Sequence, residues 1–217
     1  MGIDIIIALA NNRITNYYDL RMALRSIDKH LTGHGNIYLI GDKPGWVKNV
    51  IHIPKTDTTR KQYSIYNKFL TAANNESVSD NFIRWDDDVY LLELLDVSGI
   101  KDWYEGTLKE WSIKNINTLY RNVVKNTMKL FPDGLYYDVH APRIFNKEKY
   151  REMSKYDWAR NEYLTKSTYF NMVQADPVPM PDPKKEKGLF MSSGEKQKPE
   201  ENKVLREMFC KPSKFEQ

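Results

Sequence analysis

Apolar residues alternate between short runs and helical stripes through the N-terminal half of the chain. Ile3 to Ala10 is an isoleucine-rich run of strand length, the pattern of a strand covered on both faces. Asn11, Asn12 and Arg13 end it with polar loop chemistry. From Asp19 to Leu31 the apolar positions are Leu20, Ala23, Leu24, Ile27 and Leu31, a helical spacing with one buried face. Gly33, His34 and Gly35 stop that helix. Asn36 to Ile40 reads as a second strand, closed by the turn-forming residues Gly41 to Gly45, and Val50 to Ile53 as a third that ends at Pro54. Tyr63 to Ala73 is helical through Ile65, Tyr66, Phe69 and Leu70, and Phe82 to Trp85 is a fourth strand. This order predicts an α/β fold: a mixed, mostly parallel sheet flanked by helices, with ligands bound beyond the carboxyl ends of the strands. Asn11 and Asn12 stand at that end of the first strand, and Asp86, Asp87 and Asp88 at that end of the fourth. Both face one crevice in this reading.

Beyond Leu95 the alternation weakens. Trp111 to Leu130 reads as one long helix through Ile113, Ile116, Leu119, Val123 and Leu130, ending before Pro132, Asp133 and Gly134. Leu135 to Val139 is a candidate strand, while Asn146 to Met153 and Asp157 to Met172 carry helical patterns. Asp176 to Lys187 is proline-rich without apolar period, which predicts an extended, wrapping segment. Val204 to Phe209 has room for a short helix before Pro212. The organisation expected is a catalytic domain over 1–175, with 176–217 as an extended segment and C-terminal tail packed on it.

Composition narrows the class. A 217-residue chain that is 41% hydrophobic and 12% aromatic can bury a substantial core. Its net charge of +4 is a weak bias that suits an anionic substrate or peripheral membrane contact and does not point to nucleic acid. Cys210 is the sole cysteine, so no internal disulfide forms and a reducing, cytoplasmic setting fits. The longest strongly apolar stretch is too short to span a bilayer, and the N-terminus lacks the basic region of a secretory signal. A cytoplasmic protein without a transmembrane segment is expected.

The sharpest chemical signal is the aspartate triplet. Adjacent carboxylates repel one another and are costly to desolvate, so a strand end that gathers them commonly supplies a cation. Hard oxygen ligands select Mg²⁺ or Mn²⁺, and these ions bind phosphate oxygens in turn. The reading is a metal–diphosphate site of the kind used with nucleotide-sugars, weighed against a solvated acidic turn.

Several ordered segments together resemble the Stealth family. Asp19 to His30, followed by Ile37 to Asp42 and by Pro44, Gly45 and Trp46, resembles its second block, where a helix of the type "LRYSLRSIEKY" leads into a strand and a "PxWL" turn. Phe82 to Leu91 is similar to the end of that block, His140-Ala141-Pro142 with Asn146, Lys147 and Glu148 to the third block "HxPxxxxKe", and Phe209 to Glu216 to the terminal "FPxPSxFE". The family's opening "DxVYTWVdG" is matched only by Asp4 to Asn12, without its tryptophan and glycine. The resemblance implies a glycosyltransferase-A-like fold and transfer of a sugar-1-phosphate from a nucleotide-diphosphate sugar to a hydroxyl of a glycan or glycolipid acceptor. An ordinary glycosyltransferase is the second reading. A non-catalytic glycan- or nucleotide-binding module is the third, supported by the altered opening.

Roles follow from this frame. Asp87 and Asp88 are the expected metal ligands, with Asp88 also in the reacting centre, and Asp86 is expected to orient them or the donor. The resemblance places His140 at the active site, as a metal ligand or as the base that takes the acceptor proton. Arg21, Arg143 and Arg160 are candidate phosphate binders, because a guanidinium grips two oxygens at once. Asp4, Asn11 and Asn12 are candidates for contacts with the nucleotide. His30, His34 and His52 are expected at the surface, and Trp46 and Trp85 near the cleft.

Overall fold

The computed structural model describes residues 2–10, 17–114, 117–193 and 199–217. In order, the chain forms β1 (Ile3–Leu9), α1 (Tyr18–His30), the brief β2 (Leu31–Thr32), β3 (His34–Gly41), β4 (Ile51–Pro54), α2 (Lys61–Ala73) and β5 (Asn81–Trp85). There follow β6 (Val89–Leu91), β7 (Leu95–Asp96), β8 (Asp102–Tyr104), α3 (Leu108–Lys114), α4 (Thr118–Leu130), β9 (Arg143–Asn146) and α5 (Lys147–Glu152). The last elements are α6 (Thr165–Val173), β10 (Pro177–Pro179), β11 (Phe190–Ser192) and α7 (Pro199–Met208).

The central five-stranded sheet has the order β4-β3-β1-β5-β9. Its first four strands are parallel, and β9 closes the edge antiparallel to β5. β1 lies in the middle, which explains its unbroken isoleucines. Ile5 and Ile7 pack on one face against Leu20, Leu24 and Ile27 of α1. Ile6 points to the other face, with Phe69, Ala72 and Ala73 of α2. A strand covered on both sides by helices has no use for polar alternation. The chain leaves β1 toward β3 and β4 on one side, then returns to β5 on the other. The strand order therefore reverses between β1 and β5, and in a parallel sheet the ligand crevice is expected beyond the carboxyl ends of such a pair.

That end of the sheet is tightly tied. The Leu9 carbonyl accepts hydrogen bonds from the Lys68 ammonium (2.8 Å) and from the Asp42 amide (3.2 Å). Gly41 crosses beneath them with φ 118°, where a side chain would put Cβ 2.1 Å from the Leu9 oxygen. Only glycine makes that crossing without moving the backbone.

The second half of the chain departs from the periodic reading in three places. The expected helix over 111–130 is two helices, because the Asn117 side chain accepts from the Tyr120 amide (3.1 Å) and starts α4 afresh. The expected strand at Leu135 to Val139 is not one. Its backbone bonds are mixed. Tyr136 exchanges bonds with the Glu105 amide and the Gly106 carbonyl (3.0 Å each) beside a single Thr107–Leu135 bridge, while Asn171 of α6 bonds both the amide and the carbonyl of Leu135 (2.9 Å each) and Ser167 Oγ accepts from the Tyr137 amide (2.9 Å). The strand instead forms at Arg143–Asn146, and α5 starts after Asn146 caps the Lys149 amide. Finally, the helix expected from Asp157 begins only at Thr165, since Asp157 caps the Arg160 amide in a turn and Trp158 is buried with its Nε1 donating to Met153.

The described strands beyond residue 176 pair with earlier parts of the chain. β10 pairs with β8, and β11 pairs antiparallel with β6. The C-terminal residues dock on α1: Glu216 is 5% exposed and receives Arg25 Nε (2.6 Å) and Nη2 (2.7 Å), with Arg21 Nη1 at 3.5 Å. Burial alone would raise the Glu216 carboxyl, but the Arg25 hydrogen bonds hold it below its usual 4.5. A depressed carboxyl stabilises the fold above the ordinary carboxylate range and loses that contribution as pH falls through the depressed value. Glu216→Ala leaves two guanidinium groups beside a vacated pocket, so it should cost about 2–4 kcal/mol. Urea unfolding at pH 7 measures this, and the gap between parent and variant should close at acid pH. Among the described residues, no helix is long and apolar enough to cross a membrane.

Candidate functional site

β5 is buried from Phe82 to Trp85, and the one charged residue of that stretch, Arg84, lies over the Phe69 ring at 4.7 Å and pairs with Asp86 just past the strand end. Trp85 is buried completely, and its Nε1 donates to the Val89 carbonyl (2.9 Å) across the turn that follows. A second bond, from the Val89 amide to the Asp86 carbonyl (3.2 Å), closes that turn. Asp87 and Asp88 thus occupy the two central positions of a braced turn at the β1/β5 crevice. Trp85 is a structural brace rather than a cleft residue.

The three carboxylates have different electrostatic settings. Burial would raise Asp86, but Lys166 (2.6 Å) and Arg84 (3.1 Å) outweigh it and hold the carboxyl far below the usual range. Asp86 is therefore a fixed anion whose oxygens are already engaged. Asp87 is the opposite case: burial, then Asp88, Asp86 and Asp19, push it up to about 7. Asp88 is also raised, chiefly by burial, with Lys184 and His140 opposing. It accepts from Ser192 Oγ (3.3 Å) and lies 3.6 Å from the Lys184 ammonium. Carboxylates that impede one another's ionisation are relieved by a cation.

Two further elements complete the surroundings. Asp19, in the first turn of α1, accepts from the hydroxyls of Tyr90 and Ser193. Burial and the neighbouring Asp19 raise the Tyr90 hydroxyl well above its ordinary value, so it serves as a permanent donor. His140 follows Val139, near enough to the aspartates to act on the Asp86 and Asp88 carboxyls. Its Nδ1 meets both oxygens of Asp182 at 2.9 and 3.1 Å, and Asp182 is 3% exposed. Burial would raise the Asp182 carboxyl, but the hydrogen bond and charge of His140 lower it, so it remains an anion. An anionic partner assigns the Nδ1 proton and leaves Nε2 to accept. The Asp182 side chain is held in turn, since it accepts from the Lys184 amide (2.9 Å).

Other candidate residues are placed elsewhere. Asp4 sits at the amino end of β1, buried, accepting from the amides of Asn36 (2.7 Å) and Ser79 (2.9 Å). It pins loops at the edge opposite the crevice, because ligands of a parallel sheet collect at the carboxyl ends. Arg143 is wholly buried, and its guanidinium donates to the carbonyls of Trp103, Pro142 and Ala141. Burial lowers it to about 9. It braces the His140 segment from beneath and presents nothing to a phosphate. Arg160 has an 87% exposed side chain, and the ion pair it makes is with Asp157 at 3.7 Å. Arg21 is held by Glu216 and lies over the Trp46 ring at 4.3 Å, so it secures the C-terminus and Trp46 packs there with it. Asn11 and Asn12 lie outside the described residues. Of the histidines expected at the surface, His30 is buried, with Nδ1 bonded to the Leu91 carbonyl (2.8 Å).

Asp19, Lys166, Asp182 and Ser193 are not singled out by sequence. The role of each is set by distant contacts, so no local pattern marks it. Among the described residues, no three His, Cys, Asp or Glu side chains already form a closed metal-ligand set. A diphosphate-bound Mg²⁺ or Mn²⁺ needs one or two protein carboxylates, the rest coming from phosphate and water. Asp87 and Asp88, crowded and resisting full ionisation, match that smaller requirement. Comparison with known protein families and with curated proteins gives no matching family model and no matching sequence.

Proposed function

We propose that the chain is a metal-dependent transferase that takes a nucleotide-diphosphate sugar as donor and a glycan or glycolipid hydroxyl as acceptor, on a glycosyltransferase-A-like scaffold. The observation that carries this reading is the pairing, at the crevice where strand order reverses, of crowded carboxylates with a carboxylate-oriented histidine. Asp87 and Asp88 would hold Mg²⁺ or Mn²⁺, which neutralises charge on a diphosphate leaving group. Asp86, already anchored, keeps the turn in place. His140, with its Nδ1 proton committed to Asp182, takes the acceptor hydroxyl proton on Nε2. Lys184 supplies a positive side chain beside Asp88 that can follow the donor phosphate.

The Stealth resemblance favours sugar-1-phosphate transfer. Attack on the sugar-side phosphorus forms a phosphodiester and releases a nucleoside monophosphate. The second reading, glycosyl transfer, is supported by the placement of Arg143 and Arg160. Phosphorus attack gathers charge on that phosphate, and neither arginine is positioned to receive it. In glycosyl transfer the anomeric carbon is attacked and a nucleoside diphosphate leaves. Incubation with a panel of nucleotide-diphosphate sugars, Mn²⁺ and oligosaccharide acceptors separates the two. Sugar-phosphate transfer gives nucleoside monophosphate with a phosphodiester resonance in the phosphorus NMR spectrum of the glycan. Diphosphate with an unphosphorylated glycan assigns glycosyl transfer instead.

A further inference from the structure

Lys166 is the second residue of α6, and its side chain is 2% exposed. Its ammonium donates to Asp86 Oδ2 at 2.6 Å, to the Val139 carbonyl at 2.9 Å and to the Ala141 carbonyl at 3.3 Å. An ammonium has three N–H bonds, so none is left for a substrate. The partners are distributed in a telling way. Asp86 begins the aspartate turn, and the two carbonyls belong to the residues on either side of His140. The neighbouring α6 residue reinforces the second contact: Ser167 donates through its amide (2.9 Å) and its hydroxyl (2.6 Å) to Asp138. The 137–141 segment is not in a β ladder; the first turn of α6 holds it together with Arg143, which donates to the Ala141 carbonyl, and Asp182, which meets the His140 ring.

Stability alone does not account for a charge in this position. A buried ion pair at best roughly balances the cost of desolvating its members, and an apolar chain of similar size would pack as well. What an apolar side chain cannot do is bind a carboxylate and two carbonyls at once.

We propose that Lys166 is a positioning residue that sets the separation between the aspartate turn and His140, acting through Asp86 on one side and through the backbone flanking His140 on the other. It rests on the reading of these two groups as one site. The consequence is that removing the ammonium should disturb both halves together, although it touches neither Asp87, Asp88 nor the His140 ring.

The test uses Lys166→Gln, which keeps hydrogen-bond donors but shortens the reach and removes the charge, alongside Asp86→Asn. Two readouts are taken on the full chain: the Mn²⁺ dissociation constant, by electron paramagnetic resonance with the metal alone, and the side-chain ¹⁵N spectrum of His140 in metal-free protein. Both variants should weaken Mn²⁺ binding by about tenfold to a hundredfold, the usual effect of losing a group that orients ligands. Lys166→Gln should also replace the single tautomer signature of His140 by an averaged one. For Mn²⁺ the double variant should be no worse than the poorer single, because both act through one contact. Parent-like Mn²⁺ affinity together with an unchanged His140 spectrum in a folded Lys166→Gln protein would overturn the proposal. If that variant does not fold, parent-like Mn²⁺ affinity in Asp86→Asn overturns it. If the parent binds no Mn²⁺, the metal reading fails, and the His140 spectrum of Lys166→Gln still decides the positioning role.

Discussion

His140→Ala should lower turnover by roughly two to four powers of ten, with donor affinity changed far less. The magnitude follows from the Asp182 contact. Loss of the ring removes the proton acceptor and leaves a buried carboxylate, 3% exposed, without its imidazole partner. The same contact would also suit a histidine that binds metal through Nε2, since such ligands commonly donate their other nitrogen to a carboxylate. Metal concentration separates the roles. A base lost from the site is not replaced by more Mn²⁺, so the deficit should persist at saturation. Partial recovery at high Mn²⁺ would move His140 into the ligand set, and parent kinetics at every concentration would remove it from the chemistry. Steady-state kinetics over a Mn²⁺ series is sufficient.

Asp87→Asn should make the metal-free protein more stable while abolishing its response to Mn²⁺. The carboxyl is held at about 7 in the fold against an ordinary 3.8, so ionising it opposes folding. The penalty begins as pH rises past the ordinary value and is complete once pH exceeds the raised one. An isosteric amide removes it. At pH 8 in chelator the gain should be on the order of 1–2 kcal/mol, allowing for solvent screening of a half-buried group, or roughly 3–6 °C in Tm. Below about pH 4 both proteins carry a neutral side chain there and the difference should vanish. A variant that is less stable at pH 8, or that keeps the Mn²⁺ response, would show that Asp87 does not sit among competing charges at a cation site. Asp88→Asn should lose the metal response as well. Its stability gain should be smaller, because Lys184 and His140 already offset its charge.

How far the chain could be read in advance depended on where each segment finds its partners. From β1 to β5 the partners are helices and strands that cover whole faces. Residue-by-residue periodicity therefore reports burial directly, and Ile5, Ile6 and Ile7 declare a central strand. At Leu135, Tyr137 and Asp157–Arg160 single side chains are among the decisive partners. Asn171 and Ser167 take backbone groups of an apparent strand, and Asp157 caps a turn within an apparent helix. No period records such bonds. The site divides in the same way. Asp86, Asp87 and Asp88 are visible because they are contiguous and end a strand, and His140 through the motif around it. Asp182 and Lys166 were hidden because they reach the site only after folding, from a proline-rich segment and from a helix whose start was misplaced. The arginines find protein partners that the sequence does not mark, for a related reason. A guanidinium suits phosphate, buried carbonyls and carboxylates equally well, so its sequence position alone does not choose among them.

The central claim is that the β1/β5 crevice binds a nucleotide-diphosphate sugar through a metal held by Asp87 and Asp88. Calorimetric titration of the parent with a panel of such donors, in Mn²⁺ and then in chelator, addresses it most directly. The account predicts that at least one donor binds in Mn²⁺, that chelator weakens this binding by about a hundredfold or more, and that Asp88→Asn in Mn²⁺ behaves like the parent in chelator. Donor binding that is indifferent to metal and to Asp88, or no binding of any nucleotide-diphosphate sugar by the folded parent, would contradict it.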